Sequence, residues 1–262
     1  MKRLENKVAV VYGDGTTGTA IAKAFAREGA LVFLTGRTAA KLEAVANAIR
    51  SAGGAIETAE VDALDEVAVE KHMAAVIKKA ARIDISYNAI GIPQTGIQGI
   101  PLTELSLDSF SLPLTVYTRS HFITARAAIR RMVKQGNGVI ITHTPTPGRI
   151  SQPFVGAMPL TWAAIEALCR SISAEYGRDG VRAVCLHTTA LPETPLIDEV
   201  YSIHGRSHGT SYEDFHTAMV GRTHRRKLTT LDELTGAAVF VGSDEGGAIT
   251  GTILNLTAGM VV

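Results

Sequence analysis

The sequence predicts an α/β fold: a doubly wound, mostly parallel sheet with helices on both faces, built as a single domain. Three observations carry that expectation. Apolar runs of strand length alternate with amphipathic stretches along nearly all of the 262 residues, the pattern that successive βαβ units impose. A glycine-rich turn joins the first apolar run to the first helical one. No linker, low-complexity tract or internal repeat interrupts the alternation.

The elements follow in order. Residues 8–12 read as a buried strand, the turn Gly13-Asp14-Gly15-Thr16-Thr17-Gly18 follows, and 20–29 are helical. The second strand covers 30–34. Residues 39–52 have helical periodicity and stop at Gly53-Gly54. A strand at 56–61 precedes a helix at 65–81, opened by acids and closed by Lys78, Lys79 and Arg82. Residues 83–87 form the next strand. A loop rich in Gly, Pro and Gln occupies 91–103, and a long helix spans about 106–134. After a strand at 138–142, Thr144-Pro145-Thr146-Pro147-Gly148 is expected to be neither helix nor central strand. Pro159 opens a helix that places Ile165, Leu168, Cys169, Ile172 and Tyr176 on one face. Strands at 181–186 and 252–256 close the pattern. The one long irregular region, about 188–226, lies at the carboxyl end of a strand. It is expected to form a lid over a crevice.

The glycine turn has a specific use. The first glycine allows a tight turn, the second lets backbone approach a pyrophosphate, and the third lets helix pack close to strand. Placed between strand and helix in a unit of about 30 residues, it predicts a Rossmann-type nucleotide site, with the phosphates at the helix N-terminus.

Composition narrows the classes. A hydrophobic fraction of 46%, a charged fraction of 19% and a net charge of +1 are ordinary for a globular protein and speak against nucleic acid or a membrane surface as partner. Cys169 and Cys185 lack CxxC spacing and read as buried free thiols, which suits a cytoplasmic location. Residues 1–7 have no apolar core of a signal peptide. The pair His204 and His208 brackets Gly205 with no supporting Cys or paired acid, so no metal site is expected.

From about residue 4 to residue 259 the sequence resembles the short-chain dehydrogenase/reductase family. The glycine turn (Gly13, Gly15, Thr17, Gly18) is similar to the family's cofactor loop, one residue shorter than the usual TGxxxGxG. Thr35-Gly36-Arg37 follows the second strand; NAD-using members tend to carry an acid where Gly36 stands. Arg37 instead suits a ribose 2′-phosphate, since guanidinium pairs with phosphate oxygens. Val61-Asp62 resembles the aspartate that holds the adenine amino group. Asn88-Ala89-Ile90-Gly91 is similar to the family's NNAG, and Ser243-Asp244 with Ile249-Thr250-Gly251 to its C-terminal segment. The resemblance implies NADP(H) in preference to NAD(H), held by Gly13, Gly15, Thr17, Gly18, Arg37, Asp62, Asn88 and Gly91. Read alone, Arg37 is equally a surface arginine and Asp62 a turn residue. Family members are usually homotetramers or homodimers, paired through the long helices near 106–134 and 159–177.

The resemblance breaks at the catalytic landmarks. The family's Tyr-x-x-x-Lys aligns with Met158 and Trp162, its assisting serine with Pro145, and its asparagine with Tyr117. The Pro-Gly beside the nicotinamide becomes Thr188-Thr189. The candidates left for proton chemistry are Tyr117, His143 and Thr144. Each has a plainer role open to it: Tyr117 as aromatic filler against Trp162 and Met158, His143 facing away from the cleft, Thr144 shaping a turn. The expected function is an atypical NADP(H)-dependent oxidoreductase acting on a small organic molecule. A non-redox cyclase, isomerase or lyase, or a nucleotide-binding pseudoenzyme, stands as the alternative.

Overall fold

A computed structural model describes residues 2–150 and 152–261. Seven parallel strands form one sheet in the order β3-β2-β1-β4-β5-β6-β7. They are β1 (Val8–Tyr12), β2 (Leu31–Gly36), β3 (Ala55–Glu60), β4 (Ile85–Asn88), β5 (Gly138–Pro145), β6 (Val181–Thr188) and β7 (Thr252–Leu256). The helices are α1 (Thr16–Arg27), α2 (Ala39–Ser51), α3 (Glu66–Ala80), α4 (Leu107–Gln135), α5 (Met158–Tyr176), α6 (Pro195–Ser207), α7 (Tyr212–Gly221) and α8 (Leu231–Gly242).

Side-chain alternation along β1 divides the core. Ala9 and Val11 join Ile21 and Phe25 of α1, Leu42 and Ile49 of α2, and Leu234 and Val239 of α8. Val8, Val10 and Tyr12 join Val69 and Met73 of α3, Ala128 and Met132 of α4, and Cys169 and Ile172 of α5. A strand buried on both faces must be apolar throughout, which is why 8–12 carries no polar alternation. Strand order reverses between β1 and β4, and the carboxyl ends of these two strands open a crevice of the kind that takes ligands in such sheets.

Three segments differ from the sequence reading. Helix α1 starts at Thr16, inside the glycine motif, because Gly15 already serves as its N-cap. Strand β5 runs on through Thr144 to Pro145, paired to Thr188 of β6, whereas Thr144 and Pro145 were not expected in a central strand. The register with β4 ends at Tyr87↔Ile141, so beyond that point β5 has one neighbour only and a proline's missing N–H is tolerated, as on an edge strand. Thr146–Gly148 then form one 3-10 turn with a proline at its start. Finally, 188–226 is not irregular, since it holds α6 and α7 packed on each other. Pro195 starts α6 and the Ser211 hydroxyl caps α7. Gly205 sits inside α6 because a Cβ there would lie 3.0–3.1 Å from the backbone oxygens of Thr210 and Ser211.

Candidate active site

One cleft of about 850 Å³ runs from the glycine turn, across the ends of β1 and β4, to the α6–α7 hairpin. Its first end is backbone. Gly13 has φ +109°, and a Cβ there would fall 2.7 Å from the Ala89 carbonyl oxygen. A Cβ on Gly18 would fall 1.9 Å from the Gly13 carbonyl oxygen, while one on Gly15 would meet nothing within 4 Å. Gly13 and Gly18 are therefore required by packing, whereas Gly15 leaves its side of the turn open to close approach. No side chain caps α1, which leaves its first-turn N–H groups to a ligand. These features fit the diphosphate of a dinucleotide.

Around this end Thr17 is half-buried and Arg37 and Asp62 are exposed, all on the cleft wall. Asp62 Oδ1 accepts from the Leu64 N–H at 2.9 Å, so the carboxylate also shapes its own turn. Asn88 is buried and committed on both sides: Nδ2 donates to Thr124 Oγ1 (3.1 Å) and Oδ1 accepts from the Ile90 N–H (3.0 Å). It ties β4 to α4, and Gly91 follows on the wall with no atom near its missing Cβ.

The inner end gathers Tyr117 and His121 from α4, His143 from β5, and Met158 and Trp162 from α5. The Tyr117 and Trp162 rings lie 4.6 Å apart between centroids. The Tyr117 hydroxyl oxygen accepts from the Ile92 N–H at 3.3 Å. Burial pushes this phenol up to about 12, against the opposing pull of the Ile92 N–H and the Gln94 amide. His121 Nδ1 lies 2.8 Å from the Tyr117 carbonyl oxygen, and His143 Nε2 lies 2.8 Å from Thr188 Oγ1. Burial holds both imidazoles down to about 4, so they are neutral at physiological pH.

Thr144 does not line the cleft. Alternation turns it to the opposite face from His143, where Oγ1 reaches Glu166 Oε1 (3.2 Å), His187 Nδ1 (3.1 Å) and Cys185 Sγ (3.3 Å). That hydroxyl belongs to a buried cluster between β5, β6 and α5.

Gln94, Gln98 and Glu199 on the wall went unnoticed in the sequence, and His204 was weighed there only as half of a metal pair. Gln94, Gln98 and His204 form a chain in which His204 Nε2 lies 2.9 Å from Gln98 Oε1. The Gln98 amide donates to Gln94 Oε1 (2.7 Å), and the Gln94 amide to the Ile92 carbonyl (2.7 Å). Glu199 of α6 accepts from the N–H groups of Gln94 (3.0 Å) and Thr95 (2.8 Å) and from the Thr95 hydroxyl (2.8 Å). These contacts span about 100 residues of chain, so no local pattern announces them. His121 had a usable signal, since it stands one helical turn after Tyr117.

A parallel doubly wound sheet with a glycine turn at its switch point defines a dinucleotide-binding class of protein. The family model described as enoyl-(acyl carrier protein) reductase matches residues 15–261, and the chain belongs to the short-chain dehydrogenase/reductase family of oxidoreductases. It is 29% identical to an uncharacterized oxidoreductase, YxbG, of Bacillus subtilis (strain 168), over 100% of this chain and 93% of that one. It is 26% identical to a gluconate 5-dehydrogenase of Gluconobacter oxydans (strain 621H), over 94% and 90%. Among solved structures, a gluconate 5-dehydrogenase from Burkholderia cenocepacia J2315 in complex with NADP and tartrate superposes with a TM-score of 0.86. Identity there is 25%, covering 98% of this chain and 96% of that one.

Proposed function

We propose that the protein is a nicotinamide-dinucleotide-dependent oxidoreductase that interconverts a carbonyl and an alcohol on a small, uncharged organic molecule, with Tyr117 as proton donor. The observation that carries this reading is the continuity of the cleft from the glycine turn to Tyr117 and Trp162. The dinucleotide, when bound, supplies or takes up a hydride, two electrons and one proton, at the substrate's carbinol carbon. The other proton must enter or leave at the substrate oxygen. Gly13, Gly15 and Thr17 would hold the diphosphate, with Gly18 buried behind them where α1 packs on the turn, Arg37 and Asp62 the adenosine end, and Asn88 and Gly91 the chain next to it. Arg37 speaks for NADP(H), as the sequence suggested.

Tyr117 suits the oxygen's proton for a geometric reason. Its oxygen accepts from the Ile92 N–H, with the Gln94 amide as a second donor, so its own hydrogen is left for an acceptor in the cleft. His143 and His121, neutral and beside it, are secondary candidates. Met158 and Trp162 offer no ordinary proton donor, which supports a non-standard site. The substrate end is walled by Met158, Trp162, Tyr201, Phe215 and Met219, and among the described residues Arg37, at the other end, is the one Arg or Lys on the wall. An anion would meet the Glu199 carboxylate there and no cation. Exposed Phe122 and Leu160 on α4 and α5 support pairing of two copies through these helices as a homodimer or homotetramer, which light scattering would test.

The test is a screen at 340 nm over neutral ketones, enones and imines, with gluconate as a charged control. Turnover of a neutral carbonyl compound supports the reading, whereas no turnover across the panel despite cofactor binding would return it to non-redox chemistry. Tyr117→Phe should lower turnover about 10²- to 10⁴-fold with cofactor affinity unchanged. Because the phenol keeps its proton up to about 12, carbonyl reduction should be flat with pH to about 10. Alcohol oxidation, which needs the phenolate, should rise throughout that range.

A further inference from the structure

Asp14 is one of three residues of the glycine turn that the motif leaves unspecified, and its side chain lies across the end of β2. A Cβ built on Gly36 would fall 2.5 Å from both Cγ and Oδ2 of Asp14. The carboxylate thus fills the space that an acidic side chain at position 36 would enter. Its Oδ2 is buried without a hydrogen-bond partner among the described residues. A buried acceptor left unpaired is costly, and a carboxylate has only acceptor sites to offer. The residue borders the cleft beside Gly36 and Arg37, at the end where a dinucleotide's adenosine would lie.

In crevices of this type an acid about 20 residues beyond the glycine turn accepts the ribose 2′-hydroxyl, and an arginine there takes a 2′-phosphate instead. Here the chain supplies Arg37 from just after β2 and the acid from the turn itself. On the reading that the crevice holds a nicotinamide dinucleotide, we infer that Asp14 accepts hydrogen bonds from the adenosine ribose diol and makes the protein prefer NAD(H) to NADP(H), against the pull of Arg37.

The two cofactors differ at that point in donors and in charge. A ribose diol brings O–H groups that can donate to Oδ1, the carboxylate oxygen open to the cleft, while Oδ2 stays packed on Gly36. A 2′-phosphate brings acceptor oxygens and roughly two negative charges, which the carboxylate repels and cannot hydrogen-bond. Arg37 is exposed, so solvent and salt screen its attraction more than they screen a partly buried neighbour.

The experiment is calorimetric titration of the full chain with NADH and with NADPH, checked by quenching of Trp162, the only tryptophan. NADH should bind at least about tenfold tighter, about 1.4 kcal/mol. Asp14→Asn and Asp14→Ser should each raise NADPH affinity about tenfold and lower that for NADH, and a gain of affinity cannot arise from misfolding. NADPH binding as tightly as NADH to the natural chain would overturn the inference, as would an unchanged ratio in both variants. Binding of neither cofactor would overturn the dinucleotide reading itself, and this inference with it.

Discussion

Met158 opens α5 and Trp162 stands one turn further on, both on the cleft wall, with the Tyr117 ring against the indole. Residues four apart on a helix share a face, so the two positions could serve a Tyr-Lys pair if their side chains were exchanged. The double variant Met158→Tyr, Trp162→Lys is expected to gain carbonyl reduction above the natural chain, measured as NAD(P)H consumption with a generic ketone. No gain, in a variant that still binds cofactor, would mean that the surrounding wall has also changed. At this scale the sequence was informative where backbone sets the requirement. Gly13 and Gly18 sit where any Cβ would collide with a carbonyl, so their identity is forced and readable. Asp14 was not readable, because what it does depends on Gly36, 22 positions away and brought beside it only by β1–β2 pairing.

Elements, not single residues, close the inner end of the cleft. Helix α6 reaches the 89–106 loop through Glu199, whose carboxyl is held below the usual range: burial opposes this, and the Thr95 hydroxyl and the Thr95 and Gln94 N–H groups outweigh it. The Ser207 hydroxyl donates to the Gly99 carbonyl at 2.8 Å from the same helix. Glu199→Leu removes three acceptor contacts to a partly exposed loop. The expected effect is a loss of about 1 kcal/mol of local stability, seen as several-fold faster limited proteolysis within 89–106 and a higher substrate KM, with dinucleotide affinity little changed. Equal proteolysis rates would show that the hairpin does not clamp the loop. The two helices were hidden in the sequence because the apolar positions Tyr201, Phe215 and Met219 pack on one another as a small separate cluster. Neither helix carries a long stripe facing the main core, and Gly205 weakens the helical signal of α6 further.

Across the whole molecule, buried neutral imidazoles set the response to acid. Burial holds His72, His121, His143 and His204 down to about 4, while in the unfolded chain an imidazole titrates near 6.5. Between those values the unfolded chain binds more protons than the folded one, so stability falls as pH drops through the window and is fully present above it. Thermal melting is expected to hold steady between about pH 7 and 8 and to fall steeply between about 6.5 and 4. His72 packs edge-on to Tyr12 and Phe33, away from the cleft, and its Nε2 is unpaired. His72→Leu should flatten the acid slope by about one proton, and an unchanged slope would assign the acid sensitivity to other groups. None of these shifts is visible in composition, since they arise from which imidazoles the fold shuts away from water.

The sequence by itself determined the alternation of strands and helices, the parallel sheet and the place of the glycine turn, because these follow from local periodicity and from sterics within a few residues. It also led to the expectation of a nucleotide site at the end of β1, since a glycine turn between strand and helix suits close backbone approach to a diphosphate. Tertiary structure alone decided which side chains meet there. Alternation along β5 sent His143 to the cleft and Thr144 to a buried cluster with Glu166. The register of β1 and β2 laid Asp14 on Gly36, and the α6 hairpin brought Glu199 and His204 onto the loop after β4. Those juxtapositions depend on strand order and register, which join residues far apart in the chain and leave no pattern along it.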